Sequence, residues 1–239
     1  MNLAARRLLQ NHFREGIEEF SDIPTESKVA IVGGSLADPE VSTLREMDFK
    51  CYVTTLGIEG ADLFLDLNEK NSGTLYQEYD LVLCSQVLEH VWDMENVFSN
   101  LTSLVKKGGY IWINCPASNM KHEGGKTRYF SAGYQADFVK NYLEKFNFQT
   151  VYKGELGSER LYKLTHHRFK WPSEKEYYFP IRSSVNRIRL IGAFKGKPFF
   201  SIFKIAKEVL EAYKTLRWSE KIEYNSAFAT ETFVLAIRK

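Results

Sequence analysis

Leu9, Phe13, Ile17 and Phe20 recur at spacings of three and four, which places them on one face of a helix ending near Pro24. Five short apolar runs follow, at residues 28–34, 50–56, 61–66, 79–84 and 110–115, each bounded by turn or polar residues. Runs of this kind suit strands buried on both faces. Helical patterns separate several of them: residues 40–47 after the first, and 92–105 after the fourth, with Val97, Leu101, Leu104 and Val105 on one side. Lys106, Lys107, Gly108 and Gly109 then place positive charge and glycine where a helix ends. Ser131 reads as the cap of a helix over 132–146, with Tyr134, Phe138, Tyr142 and Phe146 at i+4 spacing. A further strand is predicted at 149–153 and a closing one at 232–237, with a helix candidate at 199–218 between them. Strand alternating with helix implies an α/β chain with a mostly parallel sheet. Ligands of such sheets bind beyond the carboxyl ends of the strands.

Composition narrows the class without choosing an activity. The chain has 239 residues, 44% apolar and 26% charged, with 15 Gly and 6 Pro, which excludes collagen-like, disordered and disulfide-scaffold proteins. Cys51, Cys84 and Cys115 lie far apart without metal-ligand spacing, so no metal site and a reducing, cytoplasmic setting are expected. Arg6 and Arg7 stand where an export signal would need apolar residues. The apolar-leaning stretch 188–210 is broken by Lys195, Lys197, Lys204 and Lys207, so no membrane span is expected. The net charge of +2 conceals an asymmetry: residues 151–221 carry 16 Lys/Arg against 7 Asp/Glu, net +9, leaving 16 against 23, net −7, elsewhere. One reading of this basic segment is a lid whose Arg160, Lys163, Arg168, Arg182, Arg187 and Arg189 meet an anionic acceptor. The other is a surface that packs on the acidic core or against a second copy in a homodimer. Its positive charge forms no nucleic-acid recognition motif.

Gly33-Gly34-Ser35 at the end of the first run lets the backbone turn sharply toward a ligand ahead of a helix N-terminus. The stretch Tyr79-Asp80-Leu81-Val82-Leu83-Cys84, then Leu88-Glu89-His90-Val91, a helix, Lys107-Gly108-Gly109 and an apolar run to Pro116 is more specific. It resembles the fourth-to-fifth-strand portion of class I S-adenosylmethionine-dependent methyltransferases, in their small-molecule and bacterial glycan-modifying branch. The resemblance extends less closely over residues 28–152 and implies a Rossmann-like sheet with helices on both faces. Residues 1–24 then form an N-terminal helix, 25–157 the core, 158–227 a basic cap insertion and 228–239 the final core strand.

The resemblance implies S-adenosyl-L-methionine as cofactor. It places Gly33, Gly34 and Ser35 beside its methionine part, Asp66 and Leu67 at its adenine, and Cys84, Ser85 and Gln86 along the site. Ile31 stands where the family has a first-strand acid, and Thr55-Leu56-Gly57 where it has a ribose-binding acid, so Glu59 is the candidate replacement. For the acceptor, the resemblance gives a loop with His122 ahead of Arg128 and Tyr129. Methyl transfer to a hydroxyl requires a base, and histidine suits neutral pH. His122 and His90 are the catalytic candidates, with His166 and His167 further from the motifs. Arg128, Tyr129, Arg182 and Arg187 are the substrate-binding candidates. The expected activity is O-methylation of a small anionic or sugar-containing acceptor: a sugar phosphate, a nucleotide sugar or a surface-glycan precursor. The alternative is a binding or scaffold protein with a degraded cofactor site.

Overall fold

The computed structural model describes residues 3–70, 78–118, 130–157 and 229–239. His122, Arg128, Tyr129, His166, His167, Arg182, Arg187 and the helix candidate at 199–218 lie outside these residues.

Helix α1 spans Leu3–Phe20. Strand β1 (Glu26–Val32), helix α2 (Pro39–Glu46), β2 (Lys50–Gly57), β3 (Leu63–Phe64) and β4 (Tyr79–Ser85) follow. A short 3-10 turn at Leu88–His90 leads to α3 (Met94–Leu104), β5 (Val105–Pro116), α4 (Ala136–Lys145), β6 (Phe148–Gly157) and β7 (Ala229–Arg238). The strands form one sheet in the order β3-β2-β1-β4-β5-β7-β6. β1 to β5 pair in parallel, and β7 runs antiparallel between β5 and β6.

The apolar runs are continuous because alternate residues enter different layers. Leu81 and Leu83 face a cluster containing Phe13, Ile17, Val41 and Leu44 from α1 and α2, together with Trp112 and Phe233. Val82 and Cys84 face the opposite cluster, containing Val97, Leu101, Val139 and Leu143 from α3 and α4. Each fully buried aliphatic or aromatic side chain contributes about 1.5–3 kcal/mol of transfer free energy. Asp80 ties the lower ends of three strands together. Its Oδ2 accepts from Lys28 N on β1 at 2.8 Å, and it pairs with Lys106 at the start of β5.

Four local expectations differ from the structure. The run at 61–66 yields only the two-residue β3, and no helix separates it from β2. A loop with Gly60 at φ +68° makes the connection, braced by Asp62 Oδ2, which accepts from Thr55 N at 2.9 Å and Thr55 Oγ1 at 2.8 Å. The pattern at 92–105 gives a shorter α3, capped by Asp93, whose Oδ1 accepts from Asn96 N at 3.1 Å. Lys106 to Gly109 belong to β5 itself, where Gly108 at φ +75° accommodates an irregular register. The helix expected from 132 begins at Ala136. Ser131 Oγ instead binds Gly133 N at 3.1 Å, and Glu155 Oε1 on β6 accepts from Ala136 N at 3.0 Å.

Candidate active site

The carboxyl ends of β1, β4 and β5 meet the N-terminal end of the antiparallel β7, as the pairing of Pro116 with Glu231 shows. At the tip of β1, Gly33 adopts φ +71° and donates its N–H to Leu56 O at 2.8 Å. A β-carbon on Gly33 would lie 2.6 Å from Val87 Cγ2, so the turn admits only glycine without displacing its neighbour. Ser35 braces the loop: its Oγ accepts from Ala37 N at 3.2 Å and lies 3.3 Å from Asp38 Oδ1. Asp38 precedes α2 and Pro39 opens it, which the fixed proline φ favours.

Immediately inside that helix, Glu40 turns under the strand tips and is 5% exposed. Its Oε1 accepts from Ser85 Oγ at 2.8 Å and from Asn114 Nδ2 at 2.9 Å, while Oε2 has no hydrogen-bond partner. Asn114 Nδ2 also donates to Ser85 Oγ at 2.7 Å. Gln86 Nε2 in turn donates to Asn114 Oδ1 at 3.1 Å and to Glu231 Oε2 at 3.0 Å. Gln86 holds this position at φ +58°, a strained conformation for a residue with a β-carbon. Glu231, on β7, is fully buried and its Oε1 is unpartnered. Glu89, in the turn after β4, is 2% exposed and its Oε2 is likewise unpartnered.

Burial raises all three carboxyls above the ordinary glutamate range, Glu89 and Glu231 to about 7. The Glu89 carboxylate raises Glu231 further, as a neighbouring like charge does. Among the described residues no Lys or Arg pairs with Glu40, Glu89 or Glu231. Three buried carboxyl groups with unpartnered oxygens are suited to cations and to hydrogen-bond donors.

The other sequence-predicted residues surround this network unevenly. Ser85 and Gln86 are part of it, and Gly33, Gly34 and Ser35 form the adjoining turn. His90 lies at the end of the 3-10 turn, with Nε2 3.9 Å from Glu89 Oε1. Asp66 sits in the loop after β3, where its Oδ1 accepts from Asn68 N at 2.9 Å. Leu67 and Cys84 are buried in the hydrophobic cluster beneath, where burial pushes the Cys84 thiol well up. Glu59 is exposed on the β2–β3 loop. Sequence reasoning missed Glu40, Asn114 and Glu231. The one available signal for Glu231 was an acid placed between Thr230 and Thr232 at the head of an apolar strand. Among the described residues no cluster of His, Cys, Asp and Glu has the arrangement of a metal site.

Residues 13–153 match a family model described as a methyltransferase domain. The chain belongs to that family. As a class I methyltransferase it uses S-adenosylmethionine as its methyl donor. The residues present fit that cofactor, which is cationic at both its sulfonium and its α-ammonium. The unpartnered Glu40 Oε2 offers a buried acceptor to a cationic group, and Gly33 at φ +71° keeps the adjoining turn free of a side chain. No curated protein matches the chain. Among solved structures the methyltransferase resembles the 4+2 cyclase SpnF, at 13% identity and a TM-score of 0.51, over 98% of this chain and 80% of that one. It resembles a candidate sarcosine dimethylglycine methyltransferase from Galdieria sulphuraria at 12% identity and a TM-score of 0.51, over 99% and 84%. Phosphoethanolamine N-methyltransferase 2 of Haemonchus contortus, in complex with S-adenosyl-L-methionine, gives 12% and 0.50 over 95% of this chain but 52% of that chain. At such identities the likeness is one of fold, and a cyclase among the neighbours shows that the fold alone does not fix the reaction.

Proposed function

We propose that this methyltransferase O-methylates a hydroxyl of a small sugar-containing or anionic acceptor, such as a sugar phosphate, a nucleotide sugar or a surface-glycan precursor. The observation that carries the reading is the set of buried carboxyl oxygens left without hydrogen-bond partners at the strand tips. They can accept the hydrogen of a hydroxyl, whereas a bare anion would meet only repulsion there. The anionic part of the acceptor is assigned to the basic segment, with Arg182 and Arg187 as its binding residues. Arg128 and Tyr129 belong to the acceptor loop, and His122 and His90 remain candidate proton carriers. Gly33, Gly34, Ser35, Ser85 and Gln86 are proposed to line the cofactor's methionine end. Glu59, Asp66, Leu67 and Cys84 are proposed nearer its nucleoside. The three free cysteines accord with a cytoplasmic enzyme.

When bound, S-adenosylmethionine supplies an electrophilic methyl group and leaves with the electron pair of the broken S–C bond. The chain's own residues orient the acceptor, exclude water and receive the proton. Titration calorimetry with S-adenosylhomocysteine followed by a methyl-transfer assay tests the proposal. Binding with turnover of sugar phosphates or nucleotide sugars is expected. Turnover of amine acceptors alone, or a folded protein that binds no cofactor product, would overturn it. Charge reversal at Arg182 and Arg187 should raise the acceptor KM and leave cofactor affinity unchanged.

A further inference from the structure

We propose that Glu231 is the catalytic base, taking the proton of the acceptor hydroxyl onto its Oε1 from a seat fixed by Gln86. This rests on the hydroxyl-acceptor reading and goes beyond the histidines that the sequence puts forward.

The hydrogen-bond network has one consistent polarity. Asn114 donates both amide hydrogens, to Glu40 Oε1 and Ser85 Oγ, so its Oδ1 must accept. Gln86 therefore presents its amide nitrogen, one hydrogen to Asn114 Oδ1 and the other to Glu231 Oε2. Oε2 is thereby committed as an acceptor, and the unpartnered Oε1 is the place where a proton can arrive. The backbone of Gln86 is held too, its N–H donating to Asn114 O at 2.8 Å in a left-handed conformation. Strain kept at such a position is the mark of a side chain whose aim matters.

Position in the sheet separates Glu231 from the other two carboxyls. Glu40 enters from α2 beside the β1 turn, and its Oε1 already accepts two hydrogen bonds, which suits a permanent cation. Glu231 stands across β4 and β5 from that turn, on β7. Glu89 faces the layer of Cys84, Cys115 and Tyr134, whose ionisation it opposes. In the step, the acceptor oxygen forms its bond to the methyl carbon while the S–C bond breaks, and the O–H proton passes to Oε1. The positive charge lost from sulfur equals the proton gained by Glu231.

The groups around Glu231 set its range. Glu89 raises it from the turn after β4, and Cys115 lies near it on β5. Glu40 connects to it through Asn114 and Gln86, and His12 of α1 stacks on Phe233, the next residue on the same face, with ring centroids 4.7 Å apart. On β6 its partner is Leu156. A carboxyl near neutrality is a competent base at physiological pH.

The test uses the full chain with Glu231→Gln, which keeps the shape and the bond from Gln86, and with Glu231→Asp. With a hydroxyl acceptor, kcat in Glu231→Gln should fall by about 10²–10⁴-fold. The rise of wild-type kcat through about pH 7 should disappear, and the Kd of S-adenosylhomocysteine should change by less than about threefold. Wild-type kcat in the variant, or an unchanged acidic limb, overturns the inference and leaves the O-methylation reading standing. Failure of the wild type to methylate any hydroxyl removes that reading and this one together. A readout independent of any acceptor is the carboxyl 13C signal absent from Glu231→Gln in the S-adenosylhomocysteine complex. Titration near 7 supports the assignment, and titration below 5 overturns it.

Discussion

Gly33 carries its constraint in two independent ways, a φ of +71° and a β-carbon position 2.6 Å from Val87 Cγ2. Gly33→Ala should therefore cost about 1–3 kcal/mol of stability. Because the turn also shapes the space above β1, the affinity for S-adenosylhomocysteine should drop by about tenfold or more. Urea denaturation and titration calorimetry measure the two effects, and unchanged affinity would detach the turn from the cofactor. The glycine pair was legible in the sequence as a sharp turn, because glycine has a direct backbone meaning. Glu40 was not. An acid in the first helical turn, just after Pro39, ordinarily reads as a solvent-facing partner of the helix dipole. Only the packing of α2 against the strand tips turns that side chain inward, where Ser85 and Asn114 receive it. Glu231 was hidden for the same reason, since its partner Gln86 is remote in sequence.

Helix α1 shows how far periodicity reaches at the scale of an element. Its apolar stripe predicts a helix with one buried face, and the structure buries Leu9, Phe13 and Ile17 against the sheet. Periodicity does not say which face of the sheet receives it. The answer lies in complementary shapes: Phe13 meets the edge of Trp112 at 5.1 Å, and Trp112 stacks on Phe233 at 5.6 Å. Phe13→Ala should cost about 3–5 kcal/mol, because the cavity would open between a helix and two aromatic strands that cannot close it. Chemical denaturation would show this as a lower midpoint with little change in slope, and a loss below about 1 kcal/mol would mean that α1 docks only loosely. The β2–β3 connection is the converse case. Its apolar run looked like an ordinary strand, but the carboxylate of Asp62 occupies the β2 edge at Thr55 and leaves room for just two paired residues.

The arrangement of the whole molecule was partly legible. Alternating strands and helices implied a parallel sheet, yet no local pattern announces that β7 inserts antiparallel between β5 and β6. That insertion carries Glu231 to the same end as the tips of β1, β4 and β5. It also gives the fold a pH dependence whose sign can be worked out. Glu89 and Glu231 titrate at about 7 in the folded chain and near 4.5 when unfolded, so the native state holds more protons between those values. Their contribution is fully present below the unfolded value and is lost as pH rises through the folded one. His12 acts oppositely, its imidazole lowered from 6.5 by burial, so its effect is confined to lower pH. Asp62 and Asp137, lowered by hydrogen bonds to Thr55 and Lys153, matter only in more acidic solution still. Glu40, also raised by burial, acts in the same direction, so between pH 6.5 and 8 unfolding stability should decline, by about 1 kcal/mol for each of Glu89 and Glu231. Urea denaturation at the two pH values checks this. Glu231→Gln should show a shallower decline, and saturating S-adenosylhomocysteine should raise stability at both pH values, as any ligand of the native state must. Stability that rises over this interval would mean that the buried carboxyls are already ionised in the folded chain, with a cation held against them.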